Sequence, residues 1–138
     1  MQRHALREIE PRFDPDNGVD TVNDPRGVIE FIAEGPFDCV LRIFSKAGSV
    51  RSNHYHKHGA HVIYVVCGRM EYYERPARSN QKPDFNKIDS GQWIFTEPMM
   101  EHTTVFPVHT EILVFSTAPR DQTSYENDLV HTQDLSAL

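Results

Sequence analysis

Four of the eight histidines in this 138-residue chain crowd into one stretch, His54, Tyr55, His56, Lys57, His58, Gly59, Ala60, His61. On an extended strand successive side chains alternate between faces, so His54 and His56 project the same way and can grip one ion from the same side. His61 opens the apolar run Val62 to Val66, and after a turn at His58 to Ala60 it faces back across the sheet toward the first two. His102, at the start of a later strand, is a fourth donor. Neutral imidazole is the commonest transition-metal ligand, and three or four rings converging inside a barrel suit Fe(II), Ni(II), Cu(II) or Zn(II) better than Mg(II) or Ca(II). The plainer alternative leaves these rings exposed, or paired with Glu101 or Glu111. A buried imidazole cluster is costly unless something organises it, so a His-x-His pair with two further histidines at strand starts favours the metal reading. His58 is expected to point outward from its turn. His4, His109 and His131 lack metal-type spacing and are expected to be solvated.

The elements that must position these rings are short and β-rich. From Val28 onward, strand-like runs cover Val28 to Ala33, Asp38 to Phe44, Val62 to Val66, Arg69 to Tyr73, Gln92 to Phe95, Thr103 to Phe106 and Thr110 to Ser116. Turn formers fall between them: Gly35-Pro36, Ala47-Gly48, Cys67-Gly68, Ser90-Gly91 and Phe106-Pro107. Several runs alternate, as where Cys39, Leu41 and Ile43 share one face, and none sustains a helical period over three turns. Such a pattern predicts an all-β sandwich or barrel. Residues 1–26, rich in Pro, Asp and Asn, read as an N-terminal arm; Arg75 to Asp84 reads as an exposed loop; residues 119–138 read as a tail with a short element near Tyr125 to His131. The aromatic residues are mostly packing, with Trp93 and Phe95 on one face as candidates to line a pocket. Arg42 is the one charge in its apolar run. Turned inward it would hold a substrate carboxylate or phosphate in a bidentate fashion; turned outward it is a solvent-face arginine. Glu101 should face away from its neighbour His102.

Composition excludes several classes. Fourteen Lys and Arg against 20 Asp and Glu give a net charge of −6, with no basic cluster to follow a phosphate backbone, so nucleic acid is not the expected partner. The longest apolar run, Val62 to Cys67, is far short of the roughly 20 residues that span a bilayer. Met1 to Glu10 has no signal-peptide core, so no membrane role and a cytoplasmic location are expected. Two cysteines, Cys39 and Cys67, are too few for a disulfide framework and are expected to be reduced.

The spacing Gly48, five residues, His54, Tyr55, His56, four residues, His61, six residues, Gly68 resembles the first motif of the cupin superfamily, with His61 where a glutamate is usual. Gly91 to His102 resembles the second motif in its glycine-to-histidine separation. There Pro98 lies one place late, Met99 takes the inner glycine place, and Phe106 stands where an asparagine is usual. The resemblance covers residues 48–106 and implies a cupin-type double-stranded β-helix, a jelly-roll barrel, over residues 27–118, with the tail 119–138 packed on the barrel or on a partner. Carried over by position, it makes His54, His56 and His102 metal ligands and puts His61 in the fourth ligand place, binding directly or orienting another ligand. An all-histidine shell would leave the +2 charge of the ion uncompensated and favour an anionic or chelating oxygen substrate.

The expected function is a metal-binding cupin enzyme acting on a small oxygenated molecule, by dioxygenase or by isomerase and epimerase chemistry. Three- and four-histidine shells look most like the dioxygenase cupins, which favours Fe(II) over Ni, Zn, Mn or Cu. The alternatives are a metal-free isomerase or epimerase of sugar nucleotides, with inward histidines as acids and bases, and a non-enzymatic sensing module for a small molecule or a metal. Small barrels commonly gain from pairing, so a homodimer is expected, with the arm adding a strand to a partner's sheet.

Overall fold

A computed structural model of the chain describes residues 20–33, 35–118 and 121–138. In chain order the strands are β1 (Asp20–Asp24), β2 (Gly27–Phe31), β3 (Cys39–Ser45), β4 (Ser49–His56), β5 (His61–Cys67), β6 (Arg69–Pro76), β7 (Asp84–Asp89), β8 (Trp93–Thr96), β9 (Met100–Phe106), β10 (Thr110–Ser116) and β11 (Leu129–His131). One helix, α1 (Gln122–Asp128), and a 3-10 turn (Leu135–Ala137) lie near the C-terminus. A four-stranded sheet in the order β3-β10-β5-β8 faces a five-stranded sheet in the order β11-β4-β9-β6-β7, and among the described residues β1 pairs only with β2. Every pairing is antiparallel. Among the described residues no helix is long and apolar enough to cross a membrane.

Alternation makes the core. Leu41, Ile43, Ile63, Val65, Ile112 and Val114 point in from the four-stranded sheet and meet Met70, Tyr72, Ile88 and Phe106 of the five-stranded one. Each such side chain contributes about 1.5–3 kcal/mol on leaving water. The middle of β5 is buried on both faces, because Val62 packs outward with Ala60 against Phe37, Trp93, Phe95 and Phe115. Apolar packing thus fills one end of the sandwich, at the β5–β6 turn. Gly68 makes that turn at φ +100°, and a Cβ there would lie 2.5 Å from Thr110 Oγ1 and 2.6 Å from the His109 carbonyl oxygen. The opposite end is left to polar side chains.

Four strands lie outside the runs read from sequence, among them β4, which was expected to be extended only at its histidines. The arm boundary at residue 26 falls in the turn of the β1–β2 hairpin, so residues 20–24 are strand rather than arm. Residues 84–89, the first of which falls in the expected loop, form β7, in which all six residues pair in register with β6 although only Ile88 is buried. The tail carries α1, capped by the Asp121 carboxylate accepting from the Ser124 N–H, and then β11, which pairs with the end of β4.

Candidate active site

His54 and His56 end β4, His61 begins β5 and His102 lies near the start of β9. The two sheets therefore deliver all four rings to the same end of the sandwich. Ring centroids lie 5.0 Å apart for His54 and His56, 4.8 Å for His54 and His102, 5.5 Å for His56 and His61, and 5.4 Å for His61 and His102. His58 is exposed, as are His109 and His131; His4 lies outside the described residues.

A bulge aims the two β4 rings. The β4–β9 register passes from Ser52↔Thr103 to His54↔His102, so Asn53 is an extra residue. Ser52 and Asn53 both take left-handed backbone angles, φ 71° and 56°. Side chains facing the cavity before the bulge include Arg51; after it the face is taken by His54 and His56, three and five residues on. Unbroken alternation would have put Asn53 and Tyr55 there instead.

The rings wall a cavity of about 250 Å³ between the sheets, shared with Arg51, Ser52, Thr104, Tyr125 and the apolar Leu41, Ile43 and Ile63. Asp128, at the end of α1, closes the site from behind. It accepts from the His58 and Gly59 N–H groups and pairs at 2.9 Å with Nδ1 of His56. Burial works to raise this carboxyl, but the His58 N–H and the His56 ring outweigh it and hold it below the usual carboxylate range. An ionised carboxylate only accepts, so Nδ1 of His56 carries the proton and Nε2 is left as an acceptor. His102 is set the same way, its Nδ1 donating to the Met100 carbonyl at 3.0 Å. Its ring stacks on Tyr72, whose hydroxyl meets Thr96 Oγ1 at 2.6 Å. Burial first, and then the neighbouring rings of His102, His56 and His131, push His54 down to about 2. Burial likewise takes His102 down to about 4, against the pull of the Met100 carbonyl, and holds His61 well below its ordinary value.

The donor chemistry of this cluster suits a transition metal in one respect. A ligating histidine typically donates its other ring N–H to a carboxylate or carbonyl, as His56 and His102 do here. Among the described residues no group of three or more His, Cys, Asp or Glu side chains is placed to hold an ion. What the cavity offers without one is three imidazoles that burial keeps from taking up a proton, His54, His61 and His102, beside His56, whose Nδ1 a carboxylate orients.

Arg42 does not reach this cavity. It stands on the outer face of β3, 63% exposed, paired with Glu111 and 4.5 Å above the Phe44 ring. Its neighbours Leu41 and Ile43 point inward, so alternation sends it out. The arginine that lines the cavity is Arg51, whose Nε donates to Ser45 Oγ at 2.8 Å and whose Nη2 donates to the Phe44 carbonyl at 3.2 Å. It has no carboxylate partner among the described residues. Trp93 and Phe95 belong to the packing on the outer face. Glu101 faces away from the cavity, buried in an ion pair with Arg75. Arg51, Tyr125 and Asp128 were not among the residues singled out from sequence. Arg51 comes onto this face through the parity shift of the bulge, which no glycine marks in the sequence; for Asp128, 72 residues from His56, no local signal exists.

No protein-family model matches the chain, and no curated protein matches its sequence. Solved structures do. The chain is similar to the sugar 3,4-ketoisomerase QdtA from Thermoanaerobacterium thermosaccharolyticum in complex with TDP, at 14% identity over 83% of this chain and 85% of that one, TM-score 0.68. It is similar to a 3,4-ketoisomerase from Helicobacter canadensis, at 20% identity over 83% and 86%, TM-score 0.66. It also resembles dTDP-4-dehydrorhamnose 3,5-epimerase from Sulfolobus tokodaii, at 17% identity over 75% and 69%, TM-score 0.62. These likenesses show the fold, which is the all-β cupin jelly roll.

Proposed function

We propose that this protein is an isomerase or epimerase that moves a proton at a carbon beside a ketone, on a sugar carrying a phosphate or diphosphate. The observation that carries this is the His56–Asp128 pair on the wall of the cavity. The carboxylate fixes the tautomer, Nε2 of His56 removes the proton from the carbon next to the carbonyl, and the electron pair moves onto the carbonyl oxygen as an enolate. Return of a proton to the same carbon from the other face gives epimerisation. Return to the former carbonyl carbon, with the hydroxyl proton of the first carbon passing to the enolate oxygen, moves the ketone by one position with no change in oxidation level. Arg51 is the cation for the phosphate, since it has no internal carboxylate to satisfy. The likeness to sugar ketoisomerases and an epimerase supports the reading at the level of fold.

The test uses TDP-4-keto-6-deoxyglucose, the compound seen with QdtA in a further structure. In deuterated water the protein should exchange sugar-ring hydrogen next to the ketone, observed by proton NMR, and His56→Gln should abolish the exchange. Exchange that persists in His56→Gln would remove His56 as the base.

A second reading rests on the ring N–H groups of His56 and His102, which are engaged as those of metal ligands are. Under it His54, His56, His61 and His102 hold a divalent metal such as Fe(II), and the substrate is a small oxygenated molecule. Metal analysis of untagged protein, with His54→Ala and His102→Ala beside it, decides: stoichiometric metal lost in both variants supports this reading, and equal metal in all three removes it. We further propose a homodimer. Val28 and Ile29 of β2 are 59% and 65% exposed on a two-stranded sheet, which is marginal by itself in water. Light scattering after size exclusion should give twice the mass of one chain.

A further inference from the structure

We infer that Asn53 and Thr103 are positioning residues, and that the last ten residues of the chain hold the working histidines in place from the outside of the barrel. The inference rests on the reading that His54 and His56 face the reacting molecule.

The bulge that turns these two rings inward is not self-sustaining. Ser52 and Asn53 both lie at positive φ, where residues other than glycine are held only if their surroundings fix them. The surroundings are specific. Thr103 Oγ1 donates to the Asn53 side-chain oxygen at 2.7 Å, and the same Oγ1 accepts from the Leu135 N–H at 2.9 Å. The Thr132 N–H donates to the Asn53 carbonyl oxygen at 2.8 Å. Thr103 is fully buried and Leu135 is 1% exposed, so neither bond is shared with bulk water. β11 runs directly into these anchors and pairs Leu129, Val130 and His131 with His56, Tyr55 and His54.

The C-terminal segment therefore grips the end of β4 on two sides. Inside, Asp128 orients the His56 ring; outside, Thr132 and Leu135 fix the extra residue whose presence decides that His54 and His56, rather than Asn53 and Tyr55, face the cavity. A hydrogen-bonded chain Leu135–Thr103–Asn53 runs across the back of the sheet, one layer behind the rings. An asparagine suits the extra position twice over, since it tolerates the left-handed region and supplies the acceptor that Thr103 needs. Removing either partner leaves a buried polar group without its bond and lets the β4 register relax toward plain alternation.

The test reads the rings themselves and needs no substrate. Long-range proton–nitrogen NMR of the histidine side chains is recorded for the parent, Asn53→Ala, Thr103→Val, Asn53→Asp and Thr103→Ser. Asn53→Ala and Thr103→Val should shift or broaden the His54 and His56 signals while those of His61, on the facing sheet, stay in place. Asn53→Asp and Thr103→Ser keep the acceptor and the hydroxyl and should restore the parent pattern. Leu135→Ala, which removes packing but keeps its N–H, should lower the melting temperature without moving the rings. Unchanged His54 and His56 signals in both disruptive variants would overturn the inference, as would displacement of His61 to the same extent. If Thr103→Val does not fold, Asn53→Ala against Asn53→Asp decides alone. Failure here leaves the proton-transfer reading intact, and failure of deuterium exchange leaves this result unaffected.

Discussion

The proposed chemistry rests on one side chain and one carboxylate, His56 and Asp128, and the two can be separated by mutation. Asp128→Asn keeps the shape but replaces an obligatory acceptor with an amide that can also donate. The His58 and Gly59 N–H groups and the His56 ring then compete for one oxygen, and His56 loses the bias that puts its proton on Nδ1. General-base catalysis contributes about 10²–10⁴-fold, so kcat should fall by roughly that factor with little change in KM. A fall confined to KM would show that Asp128 shapes binding and not the base. The other rings predict acid sensitivity. His102 titrates at about 4 in the folded chain against 6.5 unexposed to the fold, and His54 lower still. Below 6.5 the unfolded chain takes up protons that the folded one refuses, so stability is full above 6.5 and drains as pH falls toward 4. Urea unfolding at about pH 7 and pH 5 should show a loss on the order of 2 kcal/mol for each ring. Equal stability at the two values would mean that the rings are not buried neutral.

At the scale of the element, the barrel was legible because alternation is its own signature: Cys39, Leu41 and Ile43 turn inward as a strand period requires. The same rule sends Arg42 outward, so its exposure could be read from its neighbours. The bulge in β4 could not. Its left-handed residues are Ser52 and Asn53, with no glycine to mark them, and the parity change it makes is what brings Arg51 onto the face of His54 and His56. β7 was hidden because a strand with one buried side chain has no apolar period to show. Asp128 reaches its partner through the fold, across 72 residues, and no spacing rule covers that distance. The bulge also yields a stability prediction. Ser52→Val places a β-branched residue at φ 71° and should cost about 1–2 kcal/mol, whereas Ser52→Gly relieves the same angle and should stay within about 1 kcal/mol of the parent. Thermal melts of the pair check this; a Val variant as stable as the Gly variant would mean that the bulge is not strained.

For the whole molecule the deciding quantity is charge. The chain carries −6 overall, and the proposed sugar-diphosphate substrate is itself an anion, so at long range the two repel. At short range Arg51 attracts, being the cavity-lining cation without a carboxylate partner among the described residues. The two effects act over different distances and salt separates them. Raising ionic strength from about 0.01 M to 0.15 M shortens the Debye length from about 30 Å to about 8 Å, which removes most of the far-field repulsion and leaves a contact between a guanidinium and a phosphate largely in place. The expected outcome is that kcat/KM for TDP-4-keto-6-deoxyglucose rises over this range, as encounter becomes easier. Arg51→Gln should lower kcat/KM roughly 10- to 100-fold, the equivalent of one charge-assisted hydrogen bond, while keeping the upward slope with salt. A slope that falls instead would mean that local attraction at the cavity mouth governs capture, and that Arg51 steers as well as holds.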